Sequence, residues 1–324
     1  MKGKKRSTVV GAALIILLVF AGLGKLRGND RIWQGPLLRL PQGGFLKPSQ
    51  TTAPEEILPA GPAPQGIVFT AADGAKVSLQ YGDGCSYRPN VSSLLQKSLS
   101  WDLSAEAPTV LIIHTHASES YTPEPGQSYA QTAQYRTLDT QYNMVALGDG
   151  LTALLEQAGI GVIHDRRIHD YPSYNDSYTN ARNAAQQLLA QYPSIQVVLD
   201  LHRDAVLNAN GSQFAPVVEV QGKRVAKLML VVGTDASGMH HPNWKENLAA
   251  AVKLQVLLEK QVPGITRPVL LRAQRFNHDL SEGAMIVEIG TAGNTLQEAM
   301  GAMEFLAQAL IGLMHGSVTA DSTK

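Results

Sequence analysis

The sequence predicts an α/β fold: a mostly parallel, twisted sheet with helices on both faces. Two observations carry that reading. From Thr109 onward, short apolar runs alternate with helix-length segments of 3.6-residue periodicity, the order of strand–helix units whose strands lie parallel. The runs themselves, such as Val110-Leu111-Ile112-Ile113 and Val197-Val198-Leu199, are apolar throughout rather than alternating, as strands covered on both faces are.

The elements follow in order. Thr109–Ile113 is a strand. Residues 141–158 are helical, with Met144, Leu147, Leu151 and Leu154 on one face and Gly159 as a stop. Gly161-Val162-Ile163 is a strand. Residues 176–191 form a helix capped by Asn175 or Asp176. Ile195–Leu201 is a third strand. Val217–Val220 and Leu228–Val232 are expected to pair antiparallel. Residues 244–261 form a helix behind Asn243, with Glu246 placed for a capping box. Val269–Leu271 and Met285–Val287 are strands. A last helix starts after Asn294, with Gln297 three on, and puts Ala299, Met303, Leu306 and Leu310 on one face.

Before this region the chain changes character twice. Residues 7–24 carry no charge, behind a basic start that includes Lys2, Lys4, Lys5 and Arg6. That length suits an uncleaved membrane anchor better than a signal peptide, because Ala21-Gly22-Leu23-Gly24 makes a poor cleavage site. Basic residues flank the run on both sides, so charge alone does not orient it. Residues 25–66 form a Pro/Gly-rich stalk: from Gly35 to Gly66 fall seven of the 17 prolines, too little apolar surface to fold on its own. Residues 67–105 are expected to be a small extension holding a hairpin, Ile67–Thr70 and Lys76–Gln80 around Asp73-Gly74. The main domain is then 106–315, followed by a flexible tail, 316–324. There is no internal repeat.

Composition narrows the function. The formal net charge is zero, which leaves no basic face for nucleic acid. The one cysteine, Cys85, sits in a Gly/Asp-rich turn and allows neither a disulfide within the chain nor a cysteine metal site.

The chemistry collects at strand ends. One strand runs into His114-Thr115-His116, with Glu119 close behind. Another runs through Asp200 into His202-Arg203-Asp204, and a third into Glu288. In a parallel sheet those ends share one edge, where ligands bind. Histidine and carboxylate suit zinc, which in hydrolases takes three protein ligands and leaves one position for water. A carboxylate off the metal then moves the protons. His114, Glu119 and His202 supply a ligand set, with Glu288 as the acid/base. His114 and His116 are two apart, so on an extended strand they face the same side, and spacing leaves open which one binds; the other then orients a ligand or the substrate. Arg203 suits a substrate carboxylate through its planar fork. An ion pair of Arg203 with Asp200 or Asp204 is the other reading. His164, His169, His240 and His241 read as loop residues, His278 as a further cleft candidate, and His315 as a helix-end cation. The Tyr121–Tyr135 segment, with Pro123, Pro125 and Gly126, is long enough to border a groove.

His114-Thr115-His116-Ala117-Ser118-Glu119-Ser120-Tyr121, Asp200-Leu201-His202-Arg203-Asp204 and Val287-Glu288-Ile289-Gly290 resemble motifs of the stage II sporulation protein P family. Gly233-Thr234-Asp235 and Asn243-Trp244-Lys245-Glu246-Asn247 do as well, and the anchor-plus-stalk layout agrees. The resemblance covers roughly residues 108–312. It implies a fold similar to zinc-dependent N-acetylmuramoyl-L-alanine amidases and a membrane-anchored peptidoglycan hydrolase. Such an enzyme cuts the amide between the glycan lactyl group and the stem peptide, and cross-links too, in septal wall remodelling during engulfment. Two histidines and a glutamate hold zinc in that fold. They fall on His114, Glu119 and His202, with the catalytic glutamate on Glu288 and with His116 the alternative to His114. The resemblance further implies a catalytic domain outside the cytoplasm and stage II sporulation proteins D and M as partners. A zinc carboxypeptidase and a non-catalytic wall-binding scaffold are the competing readings.

Overall fold

The computed structural model describes residues 67–70, 76–99, 101 and 107–315. The expected anchor, stalk and tail, and Asp73-Gly74 at the hairpin turn, lie outside them. Among the described residues no helix is long and apolar enough to cross a membrane.

The described residues form ten strands and five α-helices, in chain order: β1 (Ile67–Thr70), β2 (Lys76–Tyr81), α1 (Val91–Gln96), β3 (Val110–Ile113), α2 (Met144–Gln157), β4 (Val162–His164), α3 (Ser177–Gln191), β5 (Val197–Asp204), β6 (Val217–Val220), β7 (Lys223–Ala226), β8 (Leu228–Gly233), α4 (Trp244–Gln261), β9 (Val269–Arg272), β10 (Gly283–Thr291) and α5 (Leu296–Met314). Eight strands make one sheet in the order β1-β2-β9-β8-β10-β5-β3-β4. Only β1–β2 and β8–β10 pair antiparallel; the other neighbours run parallel. The sheet is mixed but mostly parallel.

Period-two alternation sorts each strand's side chains between two unequal faces. Val110, Ile112, Val197, Leu199, Leu201, Met285, Val287 and Ile289 enter the large core, together with residues of α2, α4 and α5. Leu111, Ile113, Val198 and Ala284 point the other way, onto Ala181, Ala184 and Ala185 of α3. Each fully buried leucine of the large core contributes on the order of 1.5–3 kcal/mol. The second face is thinly covered, and it is on this side that Asp200, His202 and Glu288 project, one residue out of phase with the large-core set.

Local chemistry explains the helix limits. Asn143 caps α2 by accepting from the Val145 N–H at 3.0 Å, and Gly159 takes a positive φ of 82° just past its end. α5 has a full capping box, though one residue later than expected: Thr295 caps and Glu298 answers. The box expected at α4 does not form. Asn243 makes no side-chain cap bond there, and Glu246 pairs with Lys97 at 2.8 Å. Asp176 likewise precedes α3 without capping it.

One expectation on topology needs correction. Val217–Val220 pairs with Lys223–Ala226, not with Leu228–Val232; the close turn at Gln221-Gly222 makes a local hairpin, and β8 is left to join the main sheet beside β10. The hairpin expected before residue 105 packs on the main domain by joining its sheet. β2 lies parallel to β9, so the hairpin carries the sheet outward by two strands.

Candidate metal centre

β10, β5 and β3 are adjacent and parallel, so the three strand ends meet on one edge, and Glu288 stands in register beside His202. α3 returns over the sheet after β4. Its first turn and the residues just before it therefore lie near the same edge and bring Tyr178 and Tyr174 to the site.

His116, Glu119 and His202, all buried, form the one group among the described residues that can hold a metal ion, with one ligand atom from each within 4.8 Å of the others. His116 Nδ1 is 3.3 Å from Glu119 Oε1, and His202 Nδ1 is 3.5 Å from Glu119 Oε2. Two imidazoles and a carboxylate are a donor set for zinc with a position left for water. Asp200 favours the required tautomer. Its Oδ1 lies 3.0 Å from His202 Nε2, off the line of an ideal hydrogen bond but close enough to keep the proton there and leave Nδ1 bare. Asp200 is itself fixed by Thr115, whose N–H and hydroxyl donate to its two oxygens at 2.8 and 2.5 Å.

The charges are arranged around Glu119. Burial opposes its ionisation, but the Arg203 charge and the hydrogen bonds from His116 and His202 hold its carboxyl well below the usual range. Its Oε2 accepts from the Arg203 N–H at 3.1 Å, and Arg136 Nη2 stands 3.6 Å from Oε1. Arg136 is anchored in turn by Asp170 at 2.9 Å. His202 is buried at a cost to its charge, yet Asp200 and then Glu119 outweigh that cost and raise its pKa well above the ordinary value. A bound cation would reverse this by claiming the Nδ1 lone pair.

Glu288 has the opposite character. Its Oε2 is buried with no hydrogen-bond partner among the described residues. Burial first, then Asp204, raises its pKa to about 8. A carboxyl held near neutrality can both take and return a proton; a cation in the adjacent cluster would draw its pKa down.

The structure changes two residue assignments. His114 does not face the cluster. β3 ends at Ile113, so the extended geometry that would put His114 and His116 on one side is lost. The His114 ring turns toward α2, where Nε2 meets His164 Nε2 at 2.8 Å and Nδ1 lies 3.3 Å from the Leu201 carbonyl. His116, the alternative to His114 as a ligand and otherwise a substrate contact, takes the place beside Glu119. Arg203 is not available to a substrate: it is 3% exposed, and its guanidinium donates to the Ser120 and Tyr135 carbonyls at 3.1 and 3.0 Å. It pins both ends of the Tyr121–Tyr135 segment. Of the histidines read as loop residues, His164 ends β4 and His169 is buried against Asp165 at 3.0 Å. His278 is buried and accepts from the Gly233 N–H at 3.0 Å.

Around the cluster stand aromatic rings that the sequence alone did not single out. Tyr174 stacks on His116 with centroids 4.7 Å apart, and Arg136 lies 4.8 Å over the Tyr174 ring. Tyr178 meets His116 edge-on at 5.6 Å. The available signal was positional: both tyrosines stand where a crossover helix must begin, at the edge that carries the histidines.

Fold and site together define an α/β protein with a buried His–Glu–His cluster fit for a metal and a carboxyl poised to exchange protons beside it. The family model described as stage II sporulation protein P (SpoIIP) matches residues 70–311, and the chain belongs to that family. It is 28% identical over 201 residues to the stage II sporulation protein P of Bacillus subtilis (strain 168), a match covering 58% of this chain and 47% of the relative. The chain thus spans about half the length of the curated relative it matches. Among solved structures it is similar to the N-acetylmuramoyl-L-alanine amidase AmiC2 of Nostoc punctiforme (12% identity, TM-score 0.37, covering 65% of this chain and 97% of that one). It is similar also to the catalytic domain of the amidase CwlV of Bacillus (Paenibacillus) polymyxa var. colistinus (10%, TM-score 0.39, 66% and 99%). The fold assignment rests on the strand pairing above, not on likenesses of that size.

Proposed function

We propose that the chain is a zinc-dependent N-acetylmuramoyl-L-alanine amidase that releases stem peptides from peptidoglycan glycan strands. The observation that supports it most is the juxtaposition of the His116–Glu119–His202 cluster with Glu288, in a family whose motifs imply that reaction. A zinc ion in the cluster would supply the acidified water and the polarised carbonyl of a metal-assisted hydrolysis. The protein's own part is then proton handling and orientation. Glu288 accepts the proton of the attacking water and returns it to the leaving nitrogen. Asp200 and Thr115 keep His202 in one tautomer, and Arg203 and Arg136 keep Glu119 ionised.

Cleavage of an internal amide is favoured over carboxypeptidase action by the commitment of Arg203 and Arg136, the cations nearest the cluster, to groups of the protein itself. Arg203 is buried on backbone carbonyls and Arg136 is held by Asp170, so neither is set aside for a terminal carboxylate. Hydrolysis of peptide cross-links uses the same chemistry and belongs to the proposal. So do anchoring through residues 7–24, placement of the catalytic domain outside the cytoplasm, action in the engulfing septum, and work alongside stage II sporulation proteins D and M.

Glu288→Gln is the direct test. It removes proton transfer while leaving all three metal donors, so zinc content should match wild type and release of stem peptides should fall by 10²-fold or more, on the order of what general acid–base groups supply. Unchanged turnover rejects the role of Glu288.

A further inference from the structure

Tyr178 is the second residue of α3. Its ring is held from two sides, edge-on to His116 at 5.6 Å and tilted against Phe276 at 5.8 Å. Its carbonyl accepts from Asn277 Nδ2 at 3.0 Å, which fixes the turn. The hydroxyl is different. Tyr121 donates to the Ile289 carbonyl at 2.8 Å and Tyr129 to Ser120 Oγ at 3.0 Å, but the Tyr178 hydroxyl has no hydrogen-bond partner among the described residues. The edge-on contact of its ring with His116 places Tyr178 beside the metal cluster. A phenol is protonated at neutral pH, so one held rigidly there is a donor, not a base.

The reaction has a place for such a donor. When water adds to the scissile carbonyl, its oxygen bonds to carbon and the C=O pair moves onto the carbonyl oxygen. Beside what a bound metal would supply, a pre-set donor lowers the cost of that charge further. Two nearby donors are already engaged: the Arg203 N–H with Glu119 and Arg136 Nη1 with Asp170.

We propose that Tyr178 is a further catalytic residue whose hydroxyl donates a hydrogen bond to the oxyanion formed on the scissile carbonyl. This rests on the amide-hydrolase reading above. The proton taken by Glu288 goes to the leaving nitrogen as the pair returns and the C–N bond breaks; Tyr178 keeps its own proton throughout.

The test uses the full chain with zinc, acting on soluble peptidoglycan fragments. Tyr178→Phe keeps the ring and both its contacts. The expected result is a loss in kcat of about 10²-fold, as for removal of one oxyanion donor, with KM and zinc content at wild-type values. Affinity for a phosphinic pseudopeptide, a tetrahedral mimic, should fall with kcat. Tyr178→Leu, which also removes the ring, should lower the Tm as well; Tyr178→Phe should not. Wild-type kcat in Tyr178→Phe, or a loss matched by lost zinc or raised KM, overturns the proposal. If the wild-type chain itself cleaves nothing, the amidase reading fails and this proposal with it. An active wild type beside an unimpaired Tyr178→Phe overturns the proposal alone.

Discussion

Asp200 and His202 sit two residues apart on β5, and Asp200 Oδ1 lies 3.0 Å from His202 Nε2. Strand geometry puts both side chains on the thin face of the sheet, so one strand supplies a candidate ligand and the group that orients it. Loss of an orienting carboxylate typically costs 10–100-fold in metal affinity. Asp200→Asn is therefore expected to weaken zinc binding by about that factor, measured by competition with a chelator, while the protein stays folded. Wild-type affinity in that variant would mean that His202 needs no partner.

The two histidines of the His114-Thr115-His116 motif are expected to separate cleanly. His116→Ala should lose zinc. His114→Ala should keep it, but leave His164 Nε2 without its 2.8 Å partner and open a cavity beside α2. Together these should lower stability by roughly 2–4 kcal/mol. Metal analysis and thermal unfolding of the two variants separate a ligand from a structural histidine, and retention of zinc by His116→Ala would reverse the assignment.

Gly148 of α2 allows the His114–His164 contact, because a Cβ there would overlap both imidazoles. Alanine in a helix interior normally gains about 1 kcal/mol over glycine. Here the overlap should cost more, about 1–3 kcal/mol, so Gly148→Ala is expected to destabilise the fold. A raised Tm would show that the histidine rings can yield.

Much of this was legible in the sequence, for identifiable reasons. The apolar runs ending in His202 and Glu288 mark buried strands, and the strand–helix order makes them parallel with a shared edge; which strands are neighbours is not in that order. Asp200 and His202 could be placed on one face by simple alternation. His114 and His116 could not, since their relation depends on where β3 stops, and the turn after Ile113 rotates one ring toward α2 and the other toward β5. Arg203 is similar: its type suits a substrate carboxylate, but its use is set by the Ser120 and Tyr135 carbonyls, which arrive from a distant loop. The partner of β6 was missed because both β7 and β8 are plausible strands, and only the tight Gln221-Gly222 turn chooses between them.

Stability should fall in mild acid. His278 is buried on all sides, and that burial, helped by His241, lowers its pKa to about 3. The unfolded chain takes up the proton near pH 6.5, so between these values the unfolded state binds more protons and stability drops as pH falls. One such histidine contributes a slope of about 1.4 kcal/mol per pH unit. Urea unfolding between pH 4.5 and 6.5, at fixed metal content, should show a slope shallower by up to that amount in His278→Gln. Equal slopes would mean that His278 is charged in the fold.

The most direct measurement takes the full chain and purified peptidoglycan, with zinc or with a chelator, and identifies the products by mass. Free stem peptides that appear with zinc, vanish on chelation and return on zinc addition are the expected result. Stem-peptide release that persists under chelation, or products that lack only a terminal amino acid, would contradict the assignment of a metal-dependent amidase.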